Sequence, residues 1–248
     1  MMAQVFGGGL RFKKVNPVYK VSYDWVSVLS LGVPRYGSVA FVYGDYLYVV
    51  GGMTARGVTV SVERVNIKTF ERSYASSMLY PRAFFGFGLV GSKFYVLGGI
   101  DAYSTPTNTI MVYDIVADSW SMLSVTLPKN IAWCGSAVLN NIIYVIGGQD
   151  DQGNILSDVY AFDPSNNSVS TKASLNKARQ NHACAVLGSY IYCFGGDDGS
   201  GNLDSIESYN PSANKWTLLQ VTLPYKLNGL SATNIVIDNK TYILILGG

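Results

Sequence analysis

Hydrophobic residues fall in short runs, each closed by a polar or glycine-containing break. Stretches such as Tyr242-Ile243-Leu244-Ile245-Leu246 have strand length, well short of the roughly 18 apolar residues that a membrane-spanning helix needs. No segment holds a 3.6-residue period with helix caps, so the pattern predicts an all-β chain of many short strands.

The breaks repeat. An apolar pair followed by Gly-Gly occurs six times, with first glycines at 7, 51, 98, 147, 195 and 247, in steps of 44 to 52 residues. The first and last copies are Val5-Phe6-Gly7-Gly8 and Ile245-Leu246-Gly247-Gly248. Seven residues ahead of four copies sits a two-residue turn: Gly44-Asp45, Gly91-Ser92, Asn140-Asn141 and Gly188-Ser189. These residue types accept the positive φ of hairpin turns. The last turn, Asp238-Asn239, lies nine residues ahead, which predicts a longer or bulged second strand. Tyr48, Tyr95, Tyr144, Tyr192 and Tyr242 precede the glycines. Their fixed phase predicts packing between repeats rather than a ligand cage, and each Gly-Gly predicts close backbone approach at a strand end.

The second half of each repeat is also patterned. Tyr113-Asp114 leads to Trp120 and Tyr209-Asn210 to Trp216, with a looser copy at Tyr19 and Trp25. Phe162-Asp163-Pro164 fills the same phase with Val169 in the Trp place, and Val65-Asn66 with Phe70 reads as a degenerate copy. Pro34-Arg35, Pro81-Arg82 and Ala178-Arg179 follow in the linkers. Each unit therefore holds four strands: a before the turn, b ending in Gly-Gly, c with the Tyr-Asp pair and d with the Trp. Units of this length with four strands predict propeller blades stacked about an axis.

These residues together resemble the kelch repeat, over roughly residues 4 to 248. The resemblance implies one kelch-type β-propeller domain over residues 1–248, with six blades and an incomplete last blade; five blades is the alternative. Six b strands are visible, but five each of a, c and d. The chain stops on Gly247-Gly248 as a strand ends, so a piece of a longer protein is expected.

Composition narrows the function. Hydrophobic residues make up 48% and charged residues 14%, which excludes a disordered chain. A net charge of +2 without a dense basic cluster gives no reason to expect a nucleic-acid partner, and no membrane association is expected. Three cysteines make no disulfide framework, and Met1 to Leu10 lacks a signal-peptide pattern, so a cytoplasmic location is expected.

Antiparallel alternation puts the d–a and b–c loops on one face, and longer loops are where binding concentrates. That face would carry Arg35, Tyr36, Arg82, Phe84, Asn130, Trp133, Arg179, Asn181, His182 and Tyr225 from d–a loops, and Asp101, Tyr103, Asp150 and Asp197 from b–c loops. Arg and aromatic residues dominate binding hot spots, and Arg forks clamp carboxylates. The expectation is a ring that grips an acidic peptide or loop of a protein partner, although each Arg could instead pair with an Asp inside its repeat. Asp197-Asp198-Gly199-Ser200-Gly201-Asn202 reads as a turn rather than a calcium loop.

His182 is the sole histidine, and no Ser-His-Asp or Cys-His arrangement is readable, so no catalytic residue, metal or cofactor is expected. Kelch propellers include the copper domain of galactose oxidase, whose site needs two histidines. Cys184 and Cys193 flank the Gly188-Ser189 turn symmetrically and should face each other across the hairpin. They read as free thiols, with a cross-strand disulfide as the alternative in an oxidising compartment. The function this supports is a non-catalytic protein-interaction module, as in kelch scaffolds and substrate receptors. The alternative is a sugar-acting isomerase of the sialate mutarotase type, which needs Arg35, Arg82, Arg179 and His182 to converge on one pocket.

Overall fold

The structure is a computed structural model that describes residues 30–247. The first Gly-Gly copy and the Tyr19/Trp25 copy lie outside the described residues.

Among the described residues, four antiparallel four-stranded sheets follow one another along the chain. The first is built from β1 (Val39–Tyr43), β2 (Tyr46–Val50), β5 (Val62–Asn66) and β6 (Arg72–Ala75), with a small hairpin, β3 (Met53–Thr54) and β4 (Gly57–Val58), in its b–c loop. The second holds β7 (Gly86–Val90), β8 (Lys93–Leu97), β9 (Thr107–Asp114) and β10 (Ser119–Ile131). The third holds β11 (Gly135–Leu139), β12 (Ile142–Ile146), β13 (Val159–Asp163) and β14 (Ser168–Lys172). The fourth holds β15 (Ala183–Leu187), β16 (Tyr190–Phe194), β17 (Leu203–Asn210) and β18 (Lys215–Leu227). A fifth unit contributes β19 (Leu230–Ile237) and β20 (Lys240–Gly247), paired with each other. Spatial order within each complete sheet is a-b-c-d, the order of a propeller blade.

The hairpins obey their turn chemistry. Gly44, Gly91 and Gly188 alone take positive φ in their turns, whereas Asn140-Asn141 and Asp238-Asn239 take it at both residues. The first pattern suits glycine at the leading position and the second suits Asn and Asp. In the fifth unit the ladder runs unbroken from Leu230↔Gly247 to Ile237↔Lys240, so its strands are longer and not bulged. One alignment is corrected. Val65 faces Arg72, as Tyr113 faces Trp120, so Arg72 occupies the Trp place and Phe70 is a turn residue with φ of 60°.

The core lies between blades. Tyr48 packs with Phe94 and Tyr113 of the next blade, Tyr95 with Phe162, and Tyr144 with Tyr209. The Trp residues clamp neighbours together. Trp120 Nε1 donates to the Ser76 carbonyl at 2.8 Å and Trp216 Nε1 to the Ala173 carbonyl at 3.0 Å, each in the preceding blade. Trp216→Phe keeps the ring and loses the bond; chemical denaturation should show a loss of about 1 kcal/mol.

The Gly-Gly doublet is the joint between blades. Gly52 N–H donates to the Arg82 carbonyl, Gly99 to Ile131, Gly148 to Arg179 and Gly196 to Leu227, at 2.7 to 2.8 Å. Those same carbonyls stand 2.4 to 2.6 Å from where a Cβ on the first glycine would sit. The bare first glycine admits the carbonyl at the point where the chain leaves strand d for the next unit, and the second glycine holds it.

Candidate functional site

The d–a and b–c loops do share a face, because they pair with each other: Tyr36↔Met53, Ala83↔Ile100, Ala132↔Gln149 and Gln180↔Asp197. At its centre the five units enclose a cavity of about 320 Å³, lined by Gly37, Phe84, Trp133, Asn181 and Gly229 and by the starts of the inner strands. These five residues share one phase, and each takes positive φ, from 51° to 65°. A main-chain relay links four of them to the next: Phe84 N–H donates to Gly37 O, Trp133 to Phe84, Asn181 to Trp133 and Gly229 to Asn181, each at 2.8 Å.

Glycine and asparagine accept that backbone. Phenylalanine and tryptophan do so at a cost, since bulky residues are genuine outliers there. Phe84 nonetheless lies tilted against Trp133, with ring centroids 5.6 Å apart, and edge-on to the exposed Tyr36 at 5.8 Å. The three rings form a continuous aromatic arc over one side of the mouth.

The arginines are elsewhere. Arg35, Arg82 and Arg179 are each at least 96% buried, so the expected ring of exposed guanidinium groups is corrected. Arg179 donates to Gly195 O at 2.7 Å, Ser205 Oγ at 3.1 Å and the buried Glu207 carboxylate at 2.8 Å. Arg35 bonds Gly51 O and Glu63 in the same way. Arg82 reaches Thr109 Oγ1 at 2.7 Å, because Met111 of its blade stands where Glu63 and Glu207 stand in theirs. Burial lowers the pKa of all three guanidiniums; Glu63 and Glu207 oppose this for Arg35 and Arg179. Arg35 and Arg179 tie the end of strand b to strand c inside their own blades, whereas Arg82 reaches strand c alone. The convergent Arg pocket of the sugar-isomerase alternative is therefore not formed.

His182 is also buried, and neither ring nitrogen has a hydrogen-bond partner among the described residues. Burial, helped by Arg179, pushes its pKa down to about 3, so it is a neutral imidazole. It is removed from the partner-contact set for the same reason as the arginines. The free-thiol reading is corrected as well: Cys184 and Cys193, opposite in the β15–β16 register with Cα atoms 4.2 Å apart, are joined in a disulfide. Cys134 is free, and burial pushes its thiol up to about 12.

The remaining residues stay on the face. Tyr103 is 88% and Tyr225 73% exposed. Asn130 donates to Asp151 at 2.8 Å. Asp101, Asp150 and Asp197 each accept a backbone N–H two residues ahead, from Tyr103, Gln152 and Gly199. Asp198 accepts from Ser200, so the Asp-Gly-Ser loop is an Asx-turn structure. With the arginines buried, the charges on the b–c loops are mainly carboxylates, Asp101, Asp150, Asp151, Asp197 and Asp198 against Arg56, while the d–a segments carry Lys129 and Lys226. Sequence reasoning missed Glu63 and Glu207. Each lies 28 residues after its arginine, a repeated spacing that marked the pairs.

Comparison with known proteins agrees with this architecture. Residues 86–248 match the family described as the KLHDC2/KLHL20/DRC7 Kelch-repeats domain, and residues 34–79 match the Kelch motif. The chain is 28% identical over 221 residues to Kelch-like protein 34 of Homo sapiens, covering 82% of this chain and 34% of that protein. It is 28% identical over 147 residues to alpha-scruin of Limulus polyphemus, covering 56% of this chain and 16% of that protein. The chain thus spans about a third of the length of the first relative and less of the second. The solved structure of YjhT superposes with a TM-score of 0.71 at 16% identity, covering 88% of this chain and 74% of that one, a likeness of fold.

Proposed function

The chain belongs to the kelch-repeat family, and on that footing we propose that it is a protein-interaction module whose contact site is the aromatic arc at the axial mouth. One observation carries this reading. Phe84 and Trp133 occupy positive-φ positions that Gly37, Asn181 and Gly229 occupy in the other units. A fold that needed only the backbone shape would be served better by glycine at both. Local strain of about 1–3 kcal/mol that persists at a mouth is a pointer to recognition. The partner is a protein loop that offers a Lys or Arg side chain, flanked by apolar residues. Aromatic faces attract cations, and the carboxylates of the b–c loops favour the same sign. An acidic peptide, the expectation from exposed arginines, is disfavoured because those arginines are buried.

The test separates binding from folding. Trp133→Gly relieves the backbone strain and removes the ring. Its thermal midpoint should stay level or rise, while its affinity for a fluorescent Lys/Arg-bearing peptide selected on the wild type should fall at least about 30-fold, the scale of a lost hot spot. That binding should weaken with added salt. Equal affinity of wild type and Trp133→Gly, or selection of acidic peptides, would overturn the reading.

A further inference from the structure

One group of chemically versatile side chains lies apart from the aromatic arc. His182, Cys184 and Cys193 bring one imidazole nitrogen and two sulfurs within 4.8 Å of one another. They sit where the third and fourth blades meet. The residues of His182's phase in the other units are Ser38, Phe85, Cys134 and Leu230, so a buried imidazole replaces small or apolar groups. It is more than nine-tenths buried with both nitrogens unpaired among the described residues. A buried polar group without a partner costs about 1–3 kcal/mol, which calls for an explanation. Gly135 of the third blade lets the imidazole and the sulfur come together: an added Cβ there would meet His182 Nε2 at 2.5 Å and Cys184 Sγ at 2.7 Å. His182 and Cys184 both line the axial cavity, which gives an entry path.

We infer that, once the Cys184–Cys193 bond is reduced, His182, Cys184 and Cys193 form a binding site for a thiophilic divalent cation of the zinc type. Two thiolates and an imidazole are a donor set that such cations prefer. Zinc bonds of about 2.3 Å to sulfur and about 2.0 Å to nitrogen place ligand atoms within the spread seen here, after the sulfurs part. The fourth position opens on the axial cavity and is filled by water. The step balances. A dithiol reductant gives two electrons and two protons, becomes a disulfide itself, and leaves two thiols on the protein. The cation then displaces those two protons. A small-molecule disulfide takes two electrons from the pair by thiol–disulfide exchange, becomes two thiols, re-forms Cys184–Cys193 and expels the cation, so disulfide and metal exclude each other.

Cobalt(II) alone is the probe. Protein reduced with dithiothreitol and desalted without oxygen should titrate three thiols, matching its three cysteines. It should bind one cobalt per chain with thiolate-to-cobalt charge transfer, and zinc should displace the cobalt. The oxidised protein should bind none. His182→Gln should weaken cobalt binding at least 10-fold and change the ligand-field spectrum, and Cys193→Ser should weaken it further. Circular dichroism checks that the variants fold. Zinc should also raise the thermal midpoint of the reduced wild type and leave the oxidised protein unmoved, a readout that needs no variant. Failure of the fully reduced wild type to bind cobalt would overturn the proposal. Folded variants that bind as tightly as wild type would do so too.

Discussion

Glu207→Ala should destabilise the protein by about 3–5 kcal/mol, the usual cost of stranding one member of a buried ion pair. Both side chains of the Arg179–Glu207 pair are fully buried. Glu207 also accepts from the backbone N–H groups of Asn176 and Lys177, at 2.8 and 3.0 Å, and from Asn176 Nδ2 at 2.8 Å. Alanine would leave a guanidinium charge without its counterion and two linker amides without their acceptor. The loss belongs to packing and electrostatics inside one blade, not to the binding face. Denaturant unfolding is the measurement. The double variant Arg179→Met/Glu207→Leu supplies the contrast, since replacing a buried pair by apolar groups is often close to neutral. A single variant as stable as wild type would mean that Arg179 finds water.

Gly147→Ala should cost about 2–5 kcal/mol, and Gly188→Ala about 1–2 kcal/mol. Both glycines have nearly the same backbone, with φ of 58° and 61°. Left-handed backbone costs an L residue about 1–2 kcal/mol in either place. Gly188 has nothing within 4 Å of an added Cβ, whereas at Gly147 that atom would meet the Arg179 carbonyl at 2.5 Å. That carbonyl is the acceptor for Gly148 N–H at 2.8 Å. Pushing it away strands a buried donor, worth about another 1–3 kcal/mol. The difference between the two variants, read from denaturant midpoints at equal slope, isolates the joint from the dihedral. Equal losses would show that the blades separate without cost at this point.

Much of the architecture was legible because the repeat has a mechanical cause. Gly-Gly recurs because the carbonyl at the passage from strand d to the next unit must pass over the first glycine, and no other residue allows it. Tyr and Trp keep phase because they fill the seams. What stayed hidden was direction. An arginine written beside a proline looks the same whether it faces water or a carboxylate in the next strand. The sequence leaves Arg35 and Arg179 either facing a partner or paired with an acid inside their repeat, and the fixed interval to Glu63 and Glu207 is the signal for pairing. Phe70 was placed one strand too far, because a hydrophobic residue near the Trp phase outweighed a seven-residue offset that pointed to Arg72. The arc was the hardest part to read. Phe84 and Trp133 lie one repeat apart and were both singled out, but their contact with each other and with Tyr36 depends on inner-strand geometry. The cysteine register was legible, and the bond across it was not.

The hydrogen-bond relay around the mouth uses main-chain atoms alone, from Gly37 through Phe84, Trp133 and Asn181 to Gly229. Its five side-chain positions are therefore uncoupled from the scaffold that displays them. Gly, Phe, Trp and Asn already coexist on it within one molecule. A lineage can rewrite what the opening recognises, one unit at a time, while the ring of amides stays the same. Of the two positions that hold glycine, Gly229 has open space where a side chain would start, whereas at Gly37 an added Cβ would meet the Phe84 ring at 2.7 Å; Gly229 is the blank site where a new specificity could be written.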